Sequence, residues 1–272
     1  MISVVLSTYN AEDWLEKVLW GYCFQTFKDF EIVIADDGSG PKTKALIDQF
    51  QAAKLLNLQH VWQPDDGFQK SKILNKGLLA TKGSYVVMSD GDCIPRKDFL
   101  EIHNEAKKPG HFLSGGYFML PMNISKLINK QDIEVANCFE LKWLARHGLG
   151  SSFKNKKLTA RGLLSKALNT FTPTKATWNG HNSSGWKKDL LAVNGFDERM
   201  QYGGQDRELG ERLWNYGIYS KQIRYSAICV HLDHPRGYKT QSSIDKNMSI
   251  RNITKKEKIS WTDFGIQHKS QH

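Results

Sequence analysis

The stretch Ser84-Tyr-Val-Val-Met-Ser-Asp-Gly-Asp-Cys-Ile-Pro95 decides how the chain is read. Its apolar run, Tyr85 to Met88, has the length and composition of a short buried strand. The run ends in Asp90-Gly91-Asp92, and Pro95 stops any continuation. Side chains two apart on an extended chain share a face. If the backbone stays extended past Ser89, both carboxylates therefore project together from the C-terminal end of the strand, the edge where open α/β sheets bind ligands. Two converging carboxylates, with Gly91 letting backbone approach closely, suit a hard divalent cation that holds a phosphate. Taken alone, Asp-Gly-Asp is the commoner signature of a tight turn, so the rest of the chain must decide.

Before this stretch, strands and helices alternate. Ile2 to Ser7 reads as a buried strand, followed by a helix that Asn10 can cap and whose core face is Leu15, Val18, Leu19 and Tyr22. Phe30 to Ala35 reads as a second strand and runs into Asp36-Asp37-Gly38-Ser39-Gly40. Pro41 opens the next helix, with Leu46, Ile47 and Phe50 as its buried stripe. A strand near Leu58 to Trp62, a loop Gln63-Pro-Asp-Asp-Gly67 and a helix from Phe68 to Lys82, stopped by Gly83, complete the pattern. Such alternation argues for a mostly parallel sheet. The first strand runs into Ser7-Thr-Tyr-Asn10 and not into G-x-G-x-x-G, which argues against a dinucleotide oxidoreductase.

The 272 residues allow one large α/β domain or two small ones, and the formal net charge is +10. A basic surface favours phosphorylated ligands, anionic lipid or nucleic acid without choosing among them. Cys23, Cys93, Cys138 and Cys229 are scattered with no C-x-x-C pair. That argues against structural zinc or a disulfide framework and for a reducing compartment. The sequence carries no signal-peptide pattern and no apolar window of about 18 residues, so a soluble or peripheral protein is expected. From about 125 to 170 the chain is rich in Lys and Arg, interleaved with Leu141, Trp143, Leu144, Leu163, Leu164 and Leu168. This reads either as an amphipathic segment resting on anionic lipid or as an ordinary solvated helical face. The basic tail from Lys246 to Lys258 is equally ambiguous.

A second informative block spans 178 to 217. Trp178-Asn-Gly-His-Asn-Ser-Ser-Gly-Trp186 suits a binding loop, and Tyr202-Gly-Gly-Gln-Asp-Arg-Glu-Leu209 leads into a helix. Asp206 falls at that helix N-terminus. It reads as a cap or as a general base, for which burial or a neighbouring carboxylate such as Glu208 would have to raise a pKa that the helix end lowers. Tyr225 to Val230 reads as a strand ending in His231-Leu-Asp-His234, a weak metal signal, with Cys229 in the core.

In order, Val4-Val-Leu-Ser-Thr-Tyr-Asn10, Glu31-Ile-Val-Ile-Ala-Asp-Asp-Gly-Ser39, Asn75-Lys-Gly77, Met88-Ser-Asp-Gly-Asp92, Gly195-Phe-Asp-Glu198 and Tyr202-Gly-Gly-Gln-Asp206 resemble an inverting family-2 glycosyltransferase of the GT-A fold. The later block is most similar to the subgroup of galactosyl- and N-acetylgalactosaminyl-transferases and bacterial chondroitin-type polymerases. The resemblance implies a single nucleotide-binding, Rossmann-like α/β domain with a mixed central sheet and helices on both faces. It would occupy residues 1–235, with a nucleotide-sugar half at 1–120, an acceptor half at 121–235 carrying the basic insert, and a basic tail at 236–272.

It also implies roles. Thr8, Tyr9, Asn10 and one of Asp36 or Asp37 would hold the uridine of a UDP-sugar. Asp90 beside Gly91 would face the ribose or sugar, and Asp92 would ligate Mn²⁺ or Mg²⁺. His231, or failing it His234, would join the metal, and Asp206 would deprotonate the acceptor. His181, Asn182 and Trp186 would lie near sugar or acceptor. Two departures stand out. Gln205 replaces the subgroup's usual Glu, and Leu74 replaces an Arg, so that Lys70 or Lys72 would approach the nucleotide instead. The reaction expected is a single displacement that inverts the anomeric centre, on a saccharide or lipid-linked saccharide acceptor in bacterial cell-surface polysaccharide synthesis. The expected location is cytoplasmic or peripheral on the inner membrane face, with no nucleic-acid partner. The rival readings are a sugar-1-phosphate nucleotidyltransferase, whose Gly-rich basic loop is absent here, and a non-enzymatic binder of nucleic acid or anionic polysaccharide, which leaves the acidic motifs unexplained.

Overall fold

A computed structural model describes residues 1–235, 237 and 239–267. The strands are β1 (Ile2–Thr8), β2 (Phe30–Asp36), β3 (Leu58–Trp62), β4 (Tyr85–Asp90), β5 (Cys93–Pro95), β6 (His111–Ser114), β7 (Gly116–Met119), β8 (Ser183–Trp186), β9 (Tyr219–Gln222) and β10 (Ile228–His231). The first helices are α1 (Glu12–Cys23), α2 (Pro41–Ala52), α3 (Lys70–Ala80) and α4 (Phe99–Ala106). Five short ones fill the middle of the chain: α5 (Met122–Leu127), α6 (Lys130–Glu134), α7 (Leu141–Arg146), α8 (Lys156–Thr159) and α9 (Gly162–Phe171). The last are α10 (Lys187–Ala192), α11 (Gln205–Asn215) and α12 (Gln241–Lys256).

The main sheet runs β3-β2-β1-β4-β8-β6-β9, and a small sheet runs β5-β10-β7. β1, β2, β3 and β4 pair in parallel, and β8 lies antiparallel between β4 and β6, so the sheet is mixed. Strands buried on both faces are near-continuously apolar, as β1 is. Its alternate residues separate two cores. Val4 and Leu6 pack with α1, α2 and α4, whereas Val5 packs with α3, α10 and α11. Helices therefore cover both faces, as expected.

Three local readings differ from expectation. Asn10 does not cap α1: its backbone is left-handed (φ 43°) and its Oδ1 accepts from the Gly40 amide, tying the end of β1 to the start of α2. Gly83 is required by packing and not by a left-handed helix end. A Cβ there would stand 2.7 Å from Ser3 Oγ, which accepts the Gly83 amide. Residues 241–256, read as part of a basic tail, form α12, which packs on α11 through Arg251 and Glu211 and holds the loop before it through Asn247 to the Gln201 and Gly203 carbonyls.

The loop leading to α11 is fixed from two sides. Asn75 accepts the Phe196 amide and donates to the Phe196 carbonyl and to Glu198, joining motifs 121 positions apart. Arg212, fully buried, pairs with Glu208 one turn earlier and donates to the Val193 and Gly195 carbonyls. Glu208 is thus spent on structure and is not the carboxylate that tunes Asp206. Removing one member of a buried ion pair leaves the other charge uncompensated, at a cost of about 3–5 kcal/mol. Arg212→Met is therefore expected to lose about that much in urea unfolding, and a loss below ~1 kcal/mol would contradict the account.

Candidate active site

The ends of β1, β2 and β4, the start of α3, the loop before α11 and the ends of β7 and β10 meet in one cleft of about 1380 Å³. Thr8, Tyr9, Asn10, Asp37, Asp90, Gly91, Asp92, His181, Gln205, Asp206, His231 and His234 all line it.

One side is built from backbone and carboxylate. The Asp37 amide donates to the Thr8 carbonyl, and the Asp37 carboxylate accepts from Gln63 Nε2 (2.7 Å) and the Gln69 amide (2.9 Å). Burial raises its pKa against those bonds. Asp36 is occupied elsewhere, accepting from the Ser39 amide and meeting His60 at 2.9 Å. Of the two aspartates it is Asp37 that reaches the cleft. Tyr9 is half exposed and donates to Asp65, while Thr8 Oγ1 is buried without a partner. Gly91 lies so close to the Ser7 carbonyl that a Cβ would approach it to 3.0 Å.

At the floor, Asp90 accepts from Lys70 Nζ at 2.7 Å and from Ser7 Oγ at 2.8 Å. Burial alone would raise the Asp90 pKa, but Lys70, His181 and Ser7 outweigh it and hold the carboxyl well below its usual range. Burial likewise opposes the Lys70 ammonium, yet Asp90, Asp206 and Asp92 keep it charged with a raised pKa. Asp206, on the first turn of α11, is pushed up to about 6, first by burial and then by the nearby Asp90 charge, against Lys70, the Gly180 amide and Arg207. Its side chain does not cap the helix. Its Oδ1 is shut from solvent without a hydrogen-bond partner, so the carboxylate is poised to take a proton. His181 is pushed down to about 4 by burial, and so is neutral near pH 7.

The third part is a carboxylate–imidazole cluster. β5 runs antiparallel to β10, opposing Cys93 with His231, and the Leu232 amide donates to the Asp92 carbonyl. Asp92, His231 and His234 thereby place their ligating atoms within 4.8 Å of one another. His231 Nδ1 lies 2.7 Å from the Leu232 carbonyl, and His234 Nδ1 lies 2.8 Å from the Pro235 carbonyl. A carbonyl only accepts, so Nδ1 carries a proton in each ring, and in the neutral imidazole Nε2 is the atom with the free lone pair. The two Nε2 atoms face Asp92 at 3.7 and 3.1 Å. A proton on the imidazoles or a cation among the three groups relieves the repulsion between lone pairs and carboxylate. Oriented imidazoles beside a carboxylate are a donor set that fits a divalent metal ion. Both histidines share this geometry.

Four residues expected near the ligand stand away from the cleft. Lys72 is exposed on α3 outside it, and Lys70 lines it instead, two positions earlier on the helix. Asn182 is fully buried, donating to the Gly116 and Ala227 carbonyls and meeting His103 Nε2 at 3.0 Å. Trp186 donates to the Lys108 carbonyl and packs edge-on against Tyr85. Asp36 is held as described above. Tyr117 and Ser7, which no motif singled out for a role, join the cleft; a lone Tyr in a short strand carries no sequence signal.

The fold is shared with proteins of known structure. Solved GT-A glycosyltransferase structures share the architecture. TarS 1-349 of S. aureus in complex with UDP-GlcNAc superposes with TM-score 0.61 at 16% identity over 94% of this chain and 69% of that one. The mannosyltransferase PcManGT from Pyrobaculum calidifontis, in complex with GDP-Man and Mn²⁺, gives TM-score 0.58 at 18% identity over 87% and 58%. Residues 3–115 match the family model Glycosyl transferase family 2. It is 26% identical to the chondroitin synthase of Escherichia coli over 94% of this chain and 38% of that protein. It is also 26% identical to the hyaluronan synthase of Pasteurella multocida, over 95% and 27%. The chain thus spans well under half the length of these relatives.

Above pH 6 the folded state must hold Asp206 ionised in a site that disfavours the charge. An aspartate whose folded pKa exceeds its unfolded value near 3.9 destabilises the fold increasingly as pH rises between the two. Asp206→Asn is therefore expected to raise the thermal midpoint at pH 8 by an amount equivalent to roughly 1–3 kcal/mol, a gain that vanishes near pH 4. No gain at pH 8, or an equal gain at both, would contradict the environment described for Asp206.

Proposed function

We propose that this chain is a metal-dependent inverting glycosyltransferase that moves a sugar from a UDP-sugar to a hydroxyl of a saccharide acceptor in polysaccharide synthesis. The observation that carries the reading is the presence, in one cleft, of a carboxylate with a pKa near 6 and an Asp–His–His cluster fit for a divalent ion. The names of the relatives, chondroitin synthase and hyaluronan synthase, support the polysaccharide setting, and the UDP-GlcNAc and Mn²⁺ of the structural neighbours support donor and metal class.

The nucleoside lies against Thr8, Tyr9, Asn10 and Asp37, where Gly91 allows close approach. Asp92, His231 and His234 would hold the divalent ion, which would supply neutralisation of the charge on a departing diphosphate. Lys70 fixes Asp90, which faces the ribose or the donor sugar. His181, neutral, and Gln205 border the acceptor side. Asp206 accepts the proton of the acceptor hydroxyl as that oxygen attacks the anomeric carbon opposite the leaving diphosphate. One displacement breaks the sugar–phosphate bond, forms the new glycosidic bond and inverts the centre. The proton ends on Asp206, from which solvent removes it.

A screen of UDP-sugars with Mn²⁺, read as UDP release with and without EDTA, is expected to find at least one metal-dependent donor. Asp206→Asn is expected to reduce transfer by about 10²–10⁴ while UDP binding is retained. Absence of metal-dependent turnover or binding of every UDP-sugar would overturn the reading, and a fully active variant would remove Asp206 from the chemistry.

The base must be ionised to act, so kcat/KM is expected to fall as pH drops through about 6. A cation on Asp92 draws the midpoint lower, placing the acid limb at or below that value. A limb attributable to Asp206 but centred above ~7 would contradict the assignment.

A further inference from the structure

The helix α9 is built inside out. At about 100° per residue, Leu163, Leu164, Ala167 and Phe171 fall on one arc of its surface, opposite Ser165 and Asn169. Amphipathic helices of globular domains bury the apolar arc. Here the polar arc is turned inward: Asn169 donates to Ser226 Oγ and accepts the Tyr225 amide, and Ser226 Oγ donates to Ser165 Oγ. The apolar arc faces solvent, with Leu163 84% exposed, Leu164 59% and Phe171 82%. Phe153, 71% exposed, lies upstream in the same insert.

The charge around this helix is as one-sided as its apolarity. Residues 141–188 contain ten Lys and Arg and no Asp or Glu, whereas the whole chain has 38 basic and 28 acidic residues. Outside the stretch the counts are 28 and 28, so this segment carries the entire net charge of +10. Lys154, Lys156, Arg161, Lys166 and Lys175 are exposed around α9. A basic rim about a protruding apolar arc matches an anionic lipid surface, where phosphates meet the cations and acyl chains receive Leu and Phe. An anionic glycan or a nucleic acid would use the cations and leave Leu163, Leu164 and Phe171 without a role.

We propose that the outward face of α9, with its basic flanks, docks this protein onto an anionic lipid bilayer. The insert also reaches the cleft: Lys157 donates to the Tyr117 carbonyl, and the Tyr117 side chain lines the cleft wall. Docking would thus set the cleft at a bilayer surface, where a lipid-linked acceptor would be presented. The docking itself does not depend on the catalytic reading; only this consequence does.

The test is sedimentation with vesicles of phosphatidylcholine alone and of phosphatidylcholine with about 30% phosphatidylglycerol. Binding is expected to the anionic vesicles only and to weaken with salt. Combined Leu163→Ser, Leu164→Ser and Phe171→Ser is expected to lower it at least about tenfold, and Lys154→Gln, Lys156→Gln or Lys166→Gln by roughly fivefold each. These outward positions leave the cleft untouched, so the triple variant should keep its circular dichroism and any UDP-sugar hydrolysis. No vesicle binding, or equal binding by wild type and triple variant, overturns the proposal. So does a wild-type dimer that the triple variant dissolves, or capture by heparin that the triple variant retains in full and that wholly displaces vesicles. Vesicle binding without turnover of any UDP-sugar would leave the docking standing and count against the catalytic reading alone.

Discussion

Asp90, Asp92 and Asp206 are drawn into one cleft, and a single ammonium makes that tolerable. Lys70 donates to Asp90 directly and its charge also acts on Asp206 and Asp92. Its placement follows from α3 beginning where the loop after β3 returns to the sheet edge, so the first turn of the helix points at the end of β4. With Asp90 neutralised in this way, Asp92 is left to the histidines and Asp206 to its own burial. The three carboxylates acquire different characters from their surroundings: one held ionised by a lysine, one facing two imidazoles, and one biased toward its protonated form. Divergent environments of this kind separate roles among chemically identical groups.

The small sheet does for the metal cluster what Lys70 does for the carboxylates. β5 is only three residues long, yet its antiparallel pairing with β10 carries His231 and His234 back over Asp92. Backbone carbonyls next in the chain then choose the tautomer of both rings. On the other flank, Asn75, Arg212 and α12 hold the loop that presents Asp206, so its position rests on buried polar bonds formed between segments far apart in sequence.

Much of the parallel half was legible from its pattern. β1, β2 and β4 are largely apolar runs of strand length ending in polar loops, and strand ends at a parallel sheet edge are where ligands gather. Asp90 and Asp92 follow from that pattern, whereas a role for Thr8, Tyr9 and Asn10 is implied only by the family resemblance. The second half was less so, because its strands from β6 on have four residues each and its helices α5 to α8 have only four to six. The choice between Asp36 and Asp37 depended on which neighbour, His60 or Gln63, claims which carboxylate. Lys70 and Lys72 differ by the rotation of one helix. Asn182 and Trp186 flank and end β8, a stretch whose polar, aromatic character suits ligand binding but whose partners are backbone carbonyls, His103 and Tyr85.

Local pattern and composition suffice for the order of the acidic motifs, the α/β class and the concentration of positive charge in one segment. Which groups meet is settled by the packed chain alone. The pKa of Asp206 depends on burial and on Asp90, the pairing of two histidines with Asp92 depends on strand register, and the outward turn of the apolar arc of α9 depends on what Ser226 and Tyr225 offer its polar side. Each is a matter of distances between residues remote in the chain, and no local pattern encodes them.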